Sequence, residues 1–164
     1  MDEAQAYRYA LWLLNRRPYS TGEIVEKFRN RNLPSDLQKK VLQRLLDKKF
    51  LNDAAFTETF IHSRMGRSWG PFKIRSGLLK KRIPRELGDK TLASVFTRGV
   101  ETENARELLE RQKQRFLRKK EKKPGQNLHR ACEFLVRKGY SFPAARLAVR
   151  EIFGYNSGLL QDEK

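Results

Sequence analysis

Apolar residues recur along most of this chain at the spacing of one face of an α-helix. Near the start, Tyr7, Ala10, Leu11 and Leu14 follow an i, i+3, i+4, i+7 pattern, which places them on the same side of a helix. No segment alternates apolar and polar residues convincingly over the length of a strand. The pattern therefore predicts an all-α protein.

Turn and capping residues divide the first fifty residues into three helices. Pro18 ends the first helix, and Ser20-Thr21-Gly22-Glu23 has the form of a capping box, in which serine and glutamate satisfy each other's backbone N–H groups. Asn32 suits a left-handed turn, and Pro34 prevents the second helix from continuing. Ser35-Asp36-Leu37-Gln38 predicts a second capping box. The third helix then carries the apolar residues Leu37, Val41, Leu42, Leu45 and Leu46.

This three-helix pattern occurs again at an offset of fifty residues. Core and turn positions coincide in one register: Ile24 with Ile74, Phe28 with Leu78, Leu33 with Ile83, and Pro34 with Pro84. A third copy follows at an offset of 107, where Gly139 takes the place of Asn32 and a long first helix precedes it. Recurrence at such a period is typical of stacked supersecondary units. We predict three tandem three-helix repeats at 1–51, 52–99 and 100–164, the last with a basic loop insertion and a short C-terminal tail, in an elongated or curved arrangement.

The net charge indicates a polyanionic partner. Thirty-six Lys and Arg stand against nineteen Asp and Glu, which gives +17, and self-repulsion at that charge opposes compaction. Neutralised phosphates release counterions and supply affinity without sequence preference. Nucleic acid, an anionic membrane and an acidic protein all satisfy this argument. A membrane is disfavoured because the apolar helix faces are needed for the core.

The sequence offers no set of residues suited to catalysis. His62 and His129 have no His or Cys neighbour at ligand spacing, and Cys132 lies on a predicted inner face. There is no glycine-rich phosphate loop. We therefore expect no enzyme activity, no metal and no cofactor. One cysteine excludes an intramolecular disulfide, and no long apolar run or signal segment is present, so we expect a cytoplasmic monomer without a membrane association.

Two stretches of the chain resemble the RecX family. Phe50-Leu51-Asn52-Asp53 is followed by Phe56, Phe60, Arg64, Gly70, Ile74, Leu78, Leu79 and Lys81, and the third repeat contains Phe134-Leu135-Val136-Arg137-Lys138-Gly139-Tyr140. The resemblance implies three tandem three-helix repeats and a role in binding RecA nucleoprotein filaments. Such proteins lie in the filament groove and depress strand exchange and ATP hydrolysis, and some bind DNA directly. Asn32 and Arg82 depart from the family pattern, which favours glycine in these turns.

Two clusters of basic residues are candidates for the binding surface. The first is Lys80-Lys81-Arg82, at the end of the second helix of the second repeat, and the second is the stretch from Arg111 to Lys123. Eight of the thirteen residues from Arg111 to Lys123 are Lys or Arg, and like charges one helical turn apart repel. An anionic partner would relieve that repulsion, whereas a solvated helix face is the plain alternative. Phe72, flanked by cations, can stack on a base. The candidate residues are Arg64, Arg67, Lys73, Arg75, Lys80, Lys81, Arg82, Arg111, Lys113, Arg115 and Arg118.

Two functions remain open on this basis. The first is binding and inhibition of RecA filaments, with single- or double-stranded DNA contacted within or beside the filament. The second is that of a general basic helical DNA-binding protein with no RecA specificity, since short helices joined by tight turns resemble helix-turn-helix units.

Overall fold

The structure, a computed structural model, describes residues 1–118 and 125–154. Within these ranges it is all-α, without strands, so the predicted fold class is confirmed. The helices are α1 (Glu3–Arg16), α2 (Thr21–Arg29), α3 (Ser35–Asp47), α4 (Asp53–Met65), α5 (Pro71–Lys80), α6 (Arg85–Val95), α7 (Arg98–Leu117), α8 (Gln126–Arg137) and α9 (Phe142–Phe153). The central part of the predicted basic insertion and the C-terminal tail lie outside the described residues. The repeat boundaries at 51/52 and 99/100 remain a prediction.

The chain divides into two compact units. The first unit comprises residues 1–61 and 77–91, and the second comprises residues 62–76 and 92–164. In the first unit, α1, α2 and α3 surround a core. The buried face of α1 is shifted by about one residue from the predicted face, so Tyr7, Leu11 and Leu14 are only partly buried. The core residues are Ala6, Ala10, Leu13, Ile24, Phe28, Leu33, Val41, Leu45 and Leu51.

The caps of the first unit confirm one predicted capping box and correct the other. Ser20 accepts the Glu23 N–H at 3.1 Å, and the Glu23 carboxylate accepts the Ser20 N–H at 3.3 Å. The box predicted at Ser35 is wrong, because α3 is capped by Pro34 without a side-chain hydrogen bond. Leu46, predicted to face inward, is 40% exposed.

The second helix of each repeat ends in the same left-handed turn. Asn32, Arg82 and Gly139 have φ values of 52°, 57° and 95°, so the two departures from glycine keep the turn geometry. In each case the next residue donates its N–H to the carbonyl five residues earlier, which is the Schellman arrangement. These bonds are Leu33 to Phe28 at 3.1 Å, Ile83 to Leu78 at 3.1 Å, and Tyr140 to Leu135 at 3.2 Å.

The second unit has its own core, formed by α7, α8 and α9. Helix α7 is 20 residues long, which confirms the long first helix predicted for the third repeat. Cys132 is buried among these helices as a free thiol, as predicted. The other large core residues are Leu108, Leu109, Phe116, Leu128, Phe134, Leu135, Tyr140 and Val149. No helix in the described part of the chain is long and apolar enough to cross a membrane.

Candidate basic binding surface

Two of the predicted basic residues are engaged by carboxylates of the first unit. Lys81 Nζ lies 2.9 Å from Glu23 Oε1, and Arg82 Nη2 lies 2.9 Å from Glu26 Oε1. The Ser20 hydroxyl also donates to the Lys81 carbonyl. These contacts hold the left-handed turn that contains Arg82 against the start of α2. Lys80, the third residue of this group, is exposed at the end of α5.

Glu23 is the central acid of this contact. Its side chain is only 11% exposed, and Arg17 binds both carboxylate oxygens at 3.1 and 3.2 Å. Burial raises the pKa of Glu23, but hydrogen bonds from Arg17, Lys81 and the Ser20 backbone more than offset this and hold the pKa below its ordinary value. Glu23 therefore stays ionised and neutralises part of the positive charge of Arg17 and Lys81. From composition alone, that charge would be available to an anionic partner.

In the second unit, cations gather around Trp69. The Arg64 guanidinium lies 5.2 Å from the Trp69 ring centroid, and Lys73 Nζ lies 4.6 Å from it. Both distances fall within the range of cation–π attraction. Arg111 of α7 donates to the hydroxyl of Ser68, the residue before Trp69, at 3.0 Å. Residues far apart in sequence, from α4 to α7, are thus brought together.

A second aromatic ring continues this surface. The ring centroids of Phe134 and Phe116 are 5.7 Å apart. The Arg115 guanidinium lies 5.6 Å from the Phe134 centroid, and Lys138 Nζ lies 5.7 Å from it. The Gly70 N–H, next to Trp69, donates to the Lys138 carbonyl at 2.8 Å. We call this region the Trp69–Phe134 surface and define it by Arg64, Ser68, Trp69, Lys73, Arg111, Arg115, Phe134 and Lys138.

The remaining predicted residues lie outside this definition. Arg75 stands 5.8 Å from the ring of Phe72, which is 56% exposed and so accessible for stacking. Lys113 lies 3.6 Å from Glu110 on α7. Arg67 and Arg118 are exposed at helix ends.

The sequence prediction missed Lys138, although it belongs to the quoted Phe134–Tyr140 stretch. Only the fold reveals that it adjoins Gly70. Tyr140, two residues further on, is buried, which raises its pKa to about 12 despite the nearby Arg111. It therefore serves the core and carries no charge at neutral pH. Within the described residues, no group of three His, Cys, Asp or Glu side chains could hold a metal ion.

Comparison with known proteins establishes the family. The model of the first three-helix domain of RecX matches residues 6–45, and that of the second matches residues 52–92. Regulatory protein RecX of Xanthomonas axonopodis pv. citri (strain 306) is 31% identical over 141 residues, which are 86% of this chain and 83% of that protein. The chain belongs to the RecX family. The resemblance stated from the sequence is thereby confirmed, and membership in a family of regulatory proteins agrees with the prediction that the chain is not an enzyme.

Other RecX proteins match over different lengths. RecX of Streptomyces coelicolor is 31% identical over 90% of this chain and 77% of its own length. RecX of Photobacterium profundum is 40% identical, but over 46% of this chain and only 28% of its own length. The crystal structure of RecX from Lactobacillus salivarius has a TM-score of 0.82 at 20% identity and covers 93% of this chain and 97% of that one. That structural match supports the RecX fold.

Proposed function

We propose that this chain binds RecA nucleoprotein filaments and inhibits strand exchange and ATP hydrolysis, by lying in the groove of the filament. Family membership supports RecA as the partner. The Trp69–Phe134 surface is the observation on which the choice of binding residues rests. Lys73, Arg115 and Lys138 lie against aromatic rings, and no carboxylate pairs with them within the described residues.

The aromatic rings suit these cations to recognition of an anion. A ring face attracts a cation without neutralising its charge, so side chains that rest on Trp69 and Phe134 keep their charge for an external group. DNA phosphates in the filament and acidic side chains of RecA both satisfy this requirement. Each phosphate neutralised on duplex DNA steepens the log–log salt dependence by about 0.9.

Inhibition requires that the protein binds one filament state better than another. A ligand shifts an equilibrium only by its difference in affinity for the two states. In the proposed mechanism, basic faces of successive repeats bridge neighbouring RecA subunits along the groove. Such bridging favours a fixed spacing of subunits and hinders the changes that accompany turnover.

The direct test is DNA-dependent ATP hydrolysis by the cognate RecA at fixed salt, titrated with this protein. We expect inhibition at protein amounts below those that saturate the DNA. Inhibition only at DNA saturation would indicate competition for DNA, and no inhibition at any ratio would refute the proposal.

A charge-matched pair of variants tests the basic cluster of α7, which contributes Arg111 and Arg115 to the Trp69–Phe134 surface. Arg111, Lys113, Arg115 and Arg118 are replaced with Gln, which keeps helix propensity close to that of the original residues. The control replaces Lys39, Lys40, Lys48 and Lys49, all exposed in the first unit, with Gln. Each variant loses four positive charges, so an effect of net charge is the same in both. We expect weaker filament binding and a shallower salt slope only in the first variant. Equal losses would show that net charge, and no particular surface, carries the affinity.

The alternative of a general DNA-binding protein is favoured by one observation, the exposed Phe72 beside Arg75. An aromatic side chain and a cation together can hold an unstacked base. This alternative predicts that naked DNA binds as tightly as the filament, and that RecA is affected only through loss of available DNA. Parallel titrations of naked DNA and of filament separate the two functions.

A further inference from the structure

Four planar side chains form a ladder on the surface of the first unit. The Arg31 guanidinium lies 3.9 Å from the Tyr9 ring centroid. Tyr9 stacks on Trp12 with centroids 6.0 Å apart and an interplanar angle of 20°. Arg16 continues the series, with its guanidinium 4.5 Å from the Trp12 ring. We call Arg31, Tyr9, Trp12 and Arg16 the arginine–aromatic ladder.

The ladder follows from the register of α1. Tyr9, Trp12 and Arg16 are spaced i, i+3, i+7, which places them along one face of the helix, while Ala6, Ala10 and Leu13 point into the core. Arg31 joins them from the turn that follows α2.

The ladder is open to solvent and to an anion. Trp12 is 52% exposed, although it is one of only two tryptophans in the chain, and Arg16 and Arg31 are exposed as well. Neither arginine pairs with a carboxylate within the described residues. In contrast, Arg17 and Arg82 of the same unit are held by glutamates. A core role does not account for an exposed tryptophan between Tyr9 and a cation without an acidic partner.

We propose that the arginine–aromatic ladder is a stacking platform for the bases of single-stranded nucleic acid. Aromatic rings and guanidinium planes both stack on bases, and this stacking is tolerant of sequence because every base has a π-face. The guanidinium N–H edges remain available to phosphates. An acidic peptide would satisfy the charges, but it would not use the exposed part of the Trp12 ring. Duplex DNA keeps its bases stacked on one another and so cannot use the platform.

This proposal concerns naked single strands and does not depend on the proposed action on RecA. The ladder lies in the first unit and shares no residue with the Trp69–Phe134 surface. Failure of one proposal therefore leaves the other standing. Trp12→Ala is expected to weaken binding to a naked single strand, whereas its effect on RecA ATP hydrolysis is a separate readout.

The first experiment uses Trp12 as its own reporter. A Trp69→Phe variant of the full chain leaves Trp12 as the sole tryptophan. Its fluorescence is followed during titration with single-stranded oligothymidylate, with an abasic strand of the same length, and with polyglutamate. The abasic strand has the same phosphates without bases. We expect quenching by oligothymidylate and at least about fivefold weaker binding of the abasic strand, from the lower end of base–aromatic stacking energies.

Substitutions then test the ladder by anisotropy of a labelled oligothymidylate. Trp12→Ala should weaken binding at least about fivefold, by the same stacking argument. It should leave binding of the abasic strand unchanged. Arg31→Lys keeps the charge but removes the planar group, and it should weaken oligothymidylate more than the abasic strand. Phe50→Ala is the matched control, because Phe50 is a 50% exposed aromatic residue in the same unit. It should bind both strands as the parent does.

Three results would overturn the proposal. The first is equal affinity for oligothymidylate and the abasic strand, which would mean that phosphates alone are bound. The second is quenching of Trp12 by polyglutamate to the same extent, which would indicate an acidic partner. The third is unchanged oligothymidylate binding by Trp12→Ala with its helical content confirmed by circular dichroism.

Discussion

Replacement of Glu23 with Gln should destabilise the first unit through the loss of one buried charge. Gln keeps the size of the side chain and can still serve in a capping box, so the change isolates the charge. Glu23 receives hydrogen bonds from two cations, Arg17 and Lys81. Charge-assisted bonds are about twice as strong as neutral ones, which suggests a loss of about 0.5–1.5 kcal/mol for each cation. The side chains of Arg17 and Lys81 are 42% and 29% exposed, so water recovers part of this, and we expect about 1–2 kcal/mol in total.

The assay is urea denaturation followed by circular dichroism at neutral pH and fixed salt. Glu26→Gln is the control: it removes a carboxylate from the same helix that binds the adjacent Arg82, but this pair is solvent-exposed, and exposed pairs contribute little. The reasoning predicts a clear fall in the free energy of unfolding for Glu23→Gln and little change for Glu26→Gln. Equal effects of the two substitutions, or no effect of the first, would refute the view that burial makes Glu23 the anchor of this contact.

Three further outcomes can be measured in the same way. Leu92→Ala should lower the free energy of unfolding by about 2–5 kcal/mol, because Leu92 is 2% exposed. Leu79→Ala, at a 49% exposed position, should leave the urea midpoint unchanged. Unchanged stability of Leu92→Ala would show that its burial is misjudged. Gly70→Ala should lower the free energy of unfolding by about 1–3 kcal/mol, since the new Cβ would collide with the backbone of the left-handed turn at Gly139. Gly66→Ala, where a Cβ has room, should be neutral or slightly stabilising. A neutral Gly70→Ala would contradict the close approach of the Gly70 and Gly139 backbones. Because the pKa of Glu23 is held below its ordinary value, its contribution to the free energy of unfolding is fully present above the ordinary glutamate pKa and is lost as the pH falls through the lowered pKa. Glu23→Gln should remove that part of the acid sensitivity seen in pH-dependent unfolding, and an unchanged acid profile would argue against it.

Local sequence signals predicted the helices but located one cap incorrectly. Ser20 and Glu23 form the expected box at the start of α2. At the start of α3, the Pro34 carbonyl already accepts the Gln38 N–H at 3.0 Å, so Ser35 lies inside the helix. The Gln38 amide donates to the Leu33 carbonyl at 2.7 Å instead. The preceding left-handed turn, and not the serine, decides where this helix begins.

The basic surface could be predicted only in part, because charge partners distant in sequence decide which cations are available. Lys81 and Glu23 are 58 residues apart, and no local pattern links them. Helical periodicity placed Arg111 and Arg115 on one helix, but it could not indicate the Ser68 hydroxyl or the Phe134 ring beside them. Lys138 was missed for the same reason.

The alignment of the repeats explains why the lysine at one turn is neutralised by a carboxylate and the lysine at the equivalent turn is not. In the first unit the Ser20 hydroxyl donates to the Lys81 carbonyl, and in the second the Gly70 N–H donates to the Lys138 carbonyl. Gly70 corresponds to Ser20, and Lys138 corresponds to Lys81, so the equivalent carbonyl accepts a hydrogen bond in both units, from a side-chain hydroxyl in the first and from a backbone N–H in the second.

The side chains at this repeated contact differ in charge. The position of Glu23 in the first contact is taken by Lys73 in the second, fifty residues later. Lys81 therefore has a carboxylate partner, whereas Lys138 and Lys73 rest on aromatic rings. Substitution of Lys81 would disturb folding together with any binding. Within the described residues, Lys73 and Lys138 of the second contact have no such internal anion. A test of binding that is separable from folding therefore belongs there.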